Sequence, residues 1–204
     1  MIDLYTGATS NGYRATIVLE ESGLPYTLHW MDLSTGVQKK PEFLAINPAG
    51  QIPALLDHQG PDGKPLALSQ SVAILIYIAE KGGVLLPASG VERAHVLQRT
   101  LYAATDVGTA MTGLMITTRF APEPMPTAAG LFESRFANHL ATLDGMFAAA
   151  QFLAGAYSIA DIALFGTLKR QEAVVEASPH ANLKRWMADV AARPAVQRAL
   201  AKPA

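Results

Sequence analysis

The sequence predicts a small α/β domain followed by an all-helical domain. Strand and helix patterns alternate through the first part of the chain, whereas the patterns after Glu92 are almost entirely helical. The stretch VLLPASGVE, which separates these two parts, has the composition of a linker. We therefore expect an α/β domain over residues 1–81, a linker over 82–91 and an all-α domain over 92–204.

The first domain begins in the order strand, helix, strand. Apolar residues fall at every second position over residues 2–5 and again over 26–30, which predicts two short strands. Between them, the polar turn TGATSNG leads into a helix that Gly23 and Pro25 bring to an end. This part of the chain is expected to form a βαβ unit.

The first domain continues with a short helix, a hairpin and a longer helix. The stretch PEFLAI, which starts at Pro41, predicts the short helix. Two apolar runs, residues 54–56 and 65–68, flank the turn GPDGK and predict the hairpin. The longer helix is expected to begin with a cap at Ser69 and to end at a pair of glycines. The whole order is βαβ, a short helix, then ββα.

The second domain is predicted to be a series of helices. Helical patterns cover about residues 92–119, 128–149, 160–176 and 181–192, with a shorter one after Pro194. Ser158 and Asp161 fit a capping box at the start of a helix, and we interpret them as structural rather than catalytic.

The composition excludes several classes of protein. The net charge is −1 and half of the 204 residues are hydrophobic, so neither nucleic acid nor an acidic membrane surface is expected as a partner. The longest apolar run, Val72 to Ala79, is too short to cross a bilayer. No signal peptide is visible at MIDLYTG, and a cytoplasmic location is expected.

The chain contains no cysteine and has five histidines without ligand spacing. Disulfides, thiolate metal sites and a cysteine nucleophile are therefore excluded, and we expect no metal. Any thiol chemistry must use a sulfur that the substrate brings.

The stretch NPAGQIPALLD places Pro53 directly in front of a predicted buried strand. The order βαβ-ββα with such a proline is the thioredoxin-like arrangement, in which the proline is cis. The main-chain N–H and C=O of Ile52 would then face outward and accept an extended peptide as an added strand. A trans proline at an ordinary strand start is the alternative, and the proline alone does not decide between them.

Four motifs resemble those of the cytosolic glutathione transferases. NPAGQIPALLD and LSQSVAILIYIAEK are similar to that family's glutathione-site signature, and SIADI and ARPAVQRAL are similar to its C-terminal motifs. The stretches MIDLY…TSNGYR and QKKPEFLAINP resemble the bacterial Nu-type branch, which is associated with glutathione-dependent disulfide reduction as well as transferase activity. The resemblance implies the glutathione transferase fold: a thioredoxin-like domain followed by an all-α domain.

The resemblance also implies which residues bind glutathione. Gln70 and Ser71 open a helix, whose N–H groups and positive dipole end favour the γ-glutamyl carboxylate. Ile52, held by Pro53, would bind the cysteinyl main chain. Gln38, Lys39, Lys40 and Gln51 could reach the glycine carboxylate. Gln38 and Gln51 match the family positions best, and solvated surface residues are the alternative interpretation of the two lysines.

Thr9, Ser10 and Asn11 are the predicted residues at the sulfur end. Glutathione transferases lower the pKa of the bound thiol with a hydroxyl or amide donor at the start of the first helix. Thr9 and Asn11 match the Nu-type pattern T-x-N-G, and Ser10 is an alternative donor. The stretch TSN also fits an ordinary helix cap. Arg135 resembles an arginine that approaches the glutathione site in Nu-type proteins, and a plain surface arginine is its alternative interpretation.

The implied function is that of a glutathione transferase, with glutathione as co-substrate and no metal. The bound thiolate would attack a small electrophile, or, in the same site, a disulfide second substrate. A hypothesis of another class is a non-catalytic interaction module of the same fold. The resemblance further implies a homodimer.

Overall fold

The computed structural model describes residues 1–203, which fold as two units. The first unit contains Met1–Ala88 together with the segment from Ala191 onward, and the second contains Ser89–Val190. The helices and strands of Met1–Ala88 are β1 (Ile2–Thr6), α1 (Ser10–Ser22), β2 (Tyr26–Trp30), α2 (Pro41–Leu44), β3 (Ala54–Asp57), β4 (Leu66–Ser69) and α3 (Ser71–Gly82). The predicted thioredoxin-like order is confirmed.

The strands form a four-stranded mixed sheet in the order β2-β1-β3-β4. The pair β1 and β2 is parallel, and β3 runs antiparallel to both β1 and β4. Leu4 lies opposite Leu28 on one side and Leu55 on the other, and both Leu4 and Leu55 are fully buried. Helices α1 and α3 pack against each other with their apolar faces buried. The chain therefore leaves β1 and β4 through turns that lead to the N-termini of two packed helices.

The cap of α3 differs from the prediction. Ser69 pairs with Ala54 as the last residue of β4, so its main chain belongs to the sheet rather than to the helix. The N-cap position is taken by Gln70, which makes no side-chain capping hydrogen bond. The predicted cap at Ser69 is therefore wrong by one position, and Gln70 stands at the turn between strand and helix.

Helix α10 (Pro194–Leu200) packs on α1 within the first unit. Two ion pairs accompany this contact: Arg193 Nε lies 2.7 Å from Glu21 Oε1, and Arg198 Nε lies 2.7 Å from Glu20 Oε2. The helical pattern groups this segment with residues 92–204, because a pattern identifies a helix but not the surface on which it packs.

Asp57, at the end of β3, is a buried carboxylate held by α3. It accepts hydrogen bonds from Tyr77 Oη at 2.6 Å and from the Gln59 N–H at 2.9 Å, and Lys81 Nζ lies 2.6 Å away. Burial acts to raise the pKa of Asp57, but the bonds from Lys81, Tyr77 and Gln59 outweigh it and hold the pKa below its usual range.

Asp57→Asn is expected to lower the free energy of unfolding at neutral pH by about 1–3 kcal/mol. A lowered pKa in the folded state means that the stabilisation is present above the unfolded pKa of about 4 and is lost as the pH falls through the folded value. Urea unfolding from pH 7 to pH 3 should therefore show the wild type and the variant converging at acid pH. A difference that stays constant over this range would contradict the assignment.

The second unit is helical, as predicted. Its helices are α4 (Gly90–Leu101), α5 (Gly108–Met115), α6 (Pro126–Ala149), α7 (Ile159–Lys169), α8 (Glu172–Ala177) and α9 (Ala181–Ala191). Two π-helical segments, Tyr102–Val107 and Ile116–Phe120, flank α5, so the predicted run over 92–119 is one nearly continuous helical stretch with widened turns. The predicted run over 160–176 is divided into α7 and α8, because the helix breaks at Arg170 and Gln171.

The core of the second unit is centred on α7. Trp186 of α9 stacks on Phe147 of α6 at 4.8 Å between ring centroids. The predicted capping box at Ser158 and Asp161 is present. Asp161 is fully buried and also accepts hydrogen bonds from Trp186 Nε1 and from the Leu153 N–H, each at 2.9 Å.

Two features are absent from residues 1–203: a membrane-spanning helix and a cluster of metal-binding side chains. No helix in this range is long and apolar enough to cross a membrane. No group of three or more histidine, aspartate or glutamate residues in the same range is arranged to hold a metal ion.

Candidate functional site

The N-terminus of α1 presents three polar side chains. Thr9 is the N-cap, and its Oγ1 accepts a hydrogen bond from the Gly12 N–H at 2.9 Å. The hydroxyl proton of Thr9 is therefore still available to a ligand. Ser10 begins the helix, and Asn11 is exposed. The predicted sulfur-end residues thus share the first turn of one helix, where free N–H groups favour an anion.

Gly12 fixes the shape of this turn. A Cβ atom at this position would collide with the Gly7 carbonyl and lie only 2.7 Å from Thr6 Oγ1. Because of this close approach, the loop after β1 lies directly against the first turn of α1. Any larger residue at position 12 would displace Thr9 or the loop.

Arg14 connects the N-termini of α1 and α3. Its side chain is buried, with 4% exposure, and its NH1 donates to Asn11 Oδ1 at 2.7 Å and to Ser71 Oγ at 3.1 Å. Ser71 Oγ in turn donates to Asn11 Oδ1 at 3.2 Å. Burial lowers the pKa of Arg14 to about 10, so the guanidinium remains charged at neutral pH. Asn11 and Ser71, predicted at opposite ends of glutathione, therefore belong to one cluster.

Gln70 has an unusual main-chain conformation at the start of α3. Its φ is 72° and its ψ is 113°, a region that costs a non-glycine residue about 1–3 kcal/mol. The Gln70 carbonyl accepts the Ile74 N–H at 3.0 Å, and the side chain is exposed. The exposed amide therefore stands beside the positive end of the α3 dipole, where a carboxylate is favoured.

The main chain of Ile52 is available for a ligand. The Ile52–Pro53 peptide bond is cis, as the thioredoxin-like interpretation predicts. Within residues 1–203, the N–H and C=O of Ile52 make no hydrogen bond. A Cβ atom on Gly7 would lie 3.1 Å from Ile52 Cδ1, so Ile52 is adjacent to the loop that leads into α1. Ile52 therefore offers an unpaired donor and acceptor next to the first turn of α1.

Asn47 holds the loop that precedes Ile52. It is 4% exposed, its Nδ2 donates to the Gln51 carbonyl at 2.6 Å, and its Oδ1 accepts the Ala49 N–H at 3.2 Å. Both functional groups of the side chain are thus used to shape residues 47–51. The hydrogen bond from Asn47 holds the main chain of Gln51, and the side chain of Gln51 is exposed.

Asn47→Ala is expected to lower the free energy of unfolding by about 1–3 kcal/mol, because the buried Asn47 side chain donates to the Gln51 carbonyl and accepts from the Ala49 N–H. Urea unfolding measures this loss, and hydrogen exchange should quicken at residues 49–51. Asn138→Ala, which alters an exposed residue of α6, is the control and should change stability by less than about 0.5 kcal/mol. Equal effects of the two variants would contradict the role given to Asn47.

Gln38 and Lys39 lie beside the same loop. A Cβ atom on Gly50 would be 2.9 Å from both the Gln38 carbonyl and Lys39 Nζ. Gln38 Nε2 makes only a long hydrogen bond of 3.4 Å to the Leu33 carbonyl, and in the described chain its Oε1 has no partner. Gln38 therefore lies beside Gly50, the residue that precedes Gln51, and the exposed Lys39 lies there as well.

Arg135 belongs to the second unit. It is exposed on α6 and lines a cleft of about 260 Å³ together with Thr105, Asp106 and His139. His139 Nδ1 is hydrogen-bonded to Tyr102 Oη at 2.9 Å. Within its own unit, Arg135 is thus a cation beside a polar cleft.

Sequence reasoning missed both Arg14 and Asn47. A signal for Arg14 was present, since it is a charged residue next to Ala15, Ile17 and Val18 on the apolar side of α1. A charge in such a place needs polar partners, and Asn11 lies three residues earlier on the same helix face. No comparable signal identifies Ser71 as the third member, because that contact spans 57 residues.

The site as a whole suits a ligand with anionic groups. It combines the N-termini of two helices, a buried guanidinium, hydroxyl and amide donors, and an unpaired main-chain edge. These groups donate hydrogen bonds and supply positive potential, and the described part of the site contains no cysteine and no cluster of metal-binding side chains. The arrangement is therefore suited to binding and to stabilising negative charge.

Comparisons with known proteins identify the family. The model of the glutathione S-transferase N-terminal domain matches residues 10–81, and that of the C-terminal domain matches residues 96–198. The chain is 36% identical over 207 residues to the disulfide-bond oxidoreductase YfcG of Escherichia coli, across 99% of this chain and 95% of that protein. This relationship confirms the predicted resemblance to the bacterial Nu-type branch.

Solved structures agree with this result. A glutathione transferase family member from Pseudomonas fluorescens, crystallised with two glutathione bound, has a TM-score of 0.91 and 34% identity over 98% of this chain and 92% of that one. A glutathione transferase from Pseudomonas putida, with one glutathione disulfide bound per subunit, has a TM-score of 0.91 and 33% identity over 100% and 92%. With both domain models matched in sequence order, the chain belongs to the glutathione S-transferase family.

Proposed function

We propose that this protein binds glutathione in its first unit and holds the sulfur as a thiolate that attacks a disulfide substrate. The observation that carries the proposal is the cluster of Asn11, Arg14 and Ser71, which places donors for two ends of one ligand at two helix N-termini. Two relatives support the choice of a disulfide. YfcG is a disulfide-bond oxidoreductase, and the protein from Pseudomonas putida holds glutathione disulfide.

Each part of glutathione has a proposed partner. The γ-glutamyl carboxylate lies at the start of α3, against the Ser71 N–H and the Gln70 amide. The cysteinyl main chain pairs with the N–H and C=O of Ile52, whose position Pro53 fixes. The glycine carboxylate is bound by Gln38 and Gln51, with Lys39 adding positive charge.

The sulfur lies at the first turn of α1. The Thr9 hydroxyl, which has its proton free, and the Asn11 amide donate hydrogen bonds to it, and Ser10 is the alternative donor. Hydrogen bonds to the charged form and the positive end of the helix dipole lower the thiol pKa. A larger thiolate fraction at neutral pH then increases the rate of nucleophilic attack.

The chemistry needs only glutathione and the substrate. The thiolate attacks one sulfur of the substrate disulfide, the S–S bond breaks, and the departing sulfur leaves as a thiolate that takes up a proton. A second glutathione thiolate then attacks the mixed disulfide and releases the other substrate thiol and glutathione disulfide. Two glutathione molecules are oxidised and one disulfide is reduced, and the protein itself undergoes no covalent change.

Conjugation to a small electrophile is the second candidate. The same thiolate would attack an electrophilic carbon and displace a leaving group or add to a double bond. The chain is 32% identical over 207 residues to glutathione S-transferase 3 of Zea mays, across 94% of this chain and 89% of that protein, which supports conjugation as the second candidate.

Calorimetric titration with reduced glutathione and with glutathione disulfide tests the proposal. Binding of both forms, together with turnover of a model disulfide faster than of a chlorinated aromatic electrophile, is the expected result. Binding of the reduced form alone with faster conjugation would favour the second candidate. No binding of either form would reject both and would support a non-catalytic interaction module.

The role of Arg135 and the homodimer stay predictions from the family resemblance, and the cytoplasmic location stays a prediction from the sequence. If Arg135 contacts the ligand, Arg135→Ala should weaken binding of glutathione disulfide about tenfold, the value of one charge-assisted hydrogen bond. Arg119→Ala, which alters an exposed arginine in the same unit, is the control. Sedimentation equilibrium measures the assembly.

A further inference from the structure

We propose that Arg14 is a positioning residue of the glutathione site. It holds the Asn11 amide with the carbonyl turned into the protein and the NH2 group turned toward the bound sulfur. This inference rests on the proposed function and adds to it the orientation of one donor and the residue that sets that orientation.

The hydrogen bonds of Asn11 determine its orientation. A guanidinium has only donors, so the atom of the Asn11 amide that faces Arg14 NH1 at 2.7 Å is the oxygen. The same oxygen accepts from Ser71 Oγ at 3.2 Å, so both of its lone pairs are used. The NH2 group then lies on the opposite edge of the amide, toward the exposed side of this residue. Asn11 is therefore arranged as a donor, which is what a thiolate requires.

The hydroxyl of Ser71 is hydrogen-bonded within the cluster of Asn11, Arg14 and Ser71. It donates its only proton to Asn11 Oδ1 and accepts a hydrogen bond from Arg14 NH1 at 3.1 Å. The side chain of Ser71 thus has no proton left for a carboxylate, and its main-chain N–H at the start of α3 takes that role. Ser71 serves one end of glutathione with its main chain and orients the donor at the other end with its side chain.

Arg14 also supplies charge. It is 4% exposed and lies one hydrogen bond behind the residue that donates to the sulfur. A positive charge in such a poorly solvated place favours the anionic form of a nearby thiol more strongly than a surface charge does. Orientation of Asn11 and stabilisation of the thiolate therefore depend on the same side chain.

The pH titration of the ultraviolet thiolate absorbance of bound glutathione tests this inference. The variants are Arg14→Met, which keeps the length of the chain without its donors, and Arg14→Lys, which keeps a charged donor. Arg14→Met is expected to raise the thiol pKa of bound glutathione by about one unit or more, and Arg14→Lys should restore most of the wild-type value. Lys64→Met, which removes an exposed charge from the hairpin turn of the same unit, should leave the pKa unchanged.

Asn11→Asp provides a second, independent test. Its carboxylate still accepts from Arg14 and Ser71, so the cluster and the fold are kept, but no NH2 group remains to donate to the sulfur. The thiol pKa should rise, while S-methylglutathione, which has no thiol, should bind as tightly as to the wild type. An unchanged thiol pKa in Asn11→Asp overturns the inference, and it does so even if Arg14→Met fails to fold. An unchanged pKa in a folded Arg14→Met overturns it as well.

The proposed function and the positioning role of Arg14 can be rejected separately. If the wild type binds glutathione without lowering its thiol pKa, the proposed function itself is rejected. If the wild type lowers the pKa and the variants do so equally, only the role of Arg14 and the orientation of Asn11 are rejected.

Discussion

Asp161→Ala is expected to lower the free energy of unfolding by about 3–5 kcal/mol. The substitution leaves three buried donors without their acceptor: the N–H of Leu153, the N–H of Ser158 and Nε1 of Trp186. Each buried donor that loses its partner costs about 1–3 kcal/mol, and the losses are not fully additive within one network. Because the free energy of unfolding of a typical domain is only about 5–15 kcal/mol, this substitution is expected to remove a large part of it.

Urea unfolding followed by tryptophan fluorescence measures this loss, since Trp186 is one of the partners. Asp161→Asn keeps one acceptor oxygen and should lose less than Asp161→Ala. The matched control is Asp189→Ala, which breaks an exposed pair with Arg185 at 3.3 Å and should cost about 0.5 kcal/mol. The network is not important for stability if Asp161→Ala and Asp189→Ala unfold at similar urea concentrations.

Thr9→Val is expected to raise the thiol pKa of bound glutathione by about 1–2 units, if the sulfur lies where we propose. Valine has nearly the same shape but no hydroxyl, so the donor to the thiolate is lost. At neutral pH the thiolate fraction, and with it the rate of attack on a disulfide, should fall about tenfold or more. Titration of thiolate absorbance and the pH profile of the reaction rate measure the two effects.

The same substitution also removes the cap of α1, which costs about 1 kcal/mol of stability. Thr9→Ser keeps both the cap and the hydroxyl and should behave like the wild type in both measurements. The thiol pKa of glutathione bound to Ser10→Ala shows whether Thr9 or Ser10 donates the hydroxyl hydrogen bond to the sulfur. If Ser10→Ala shifts the thiol pKa and Thr9→Val does not, the alternative donor Ser10 takes the place of Thr9.

The order of helices and strands could be predicted because local patterns determine it. Alternation over residues 26–30 and the glycine that ends α1 identify their elements without any distant contact. The capping box at Ser158 and Asp161 was found for the same reason, since its two residues are three positions apart. Ser69 was misassigned because a serine before a helix fits a cap, and only the pairing with Ala54 excludes it.

Candidate residues for the site could be proposed one by one from the sequence, but the hydrogen bonds that join them could not. Thr9, Asn11 and Ser71 were identified singly, through a resemblance and through helix N-termini, whereas the hydrogen bonds that join Asn11 to Ser71 depend on the packing of α1 on α3. Arg14 reaches both residues only because that packing buries it. Contacts across 57 residues leave no pattern in a single sequence.

The grouping of α10 with the first unit has a consequence for synthesis on the ribosome. The surface of α1 that faces α10 is made early, whereas α10 is made only after Ser89–Val190 has been translated. Between the end of α1 at Ser22 and the start of α10 at Pro194 lie about 170 residues, which take roughly 9 to 34 seconds to translate at about 5–20 residues per second. During this time the surface of α1 that later contacts α10 is uncovered on the nascent chain. The first unit can therefore finish folding only after the second unit has been synthesised, and until then α1 is open to misassembly or chaperone capture.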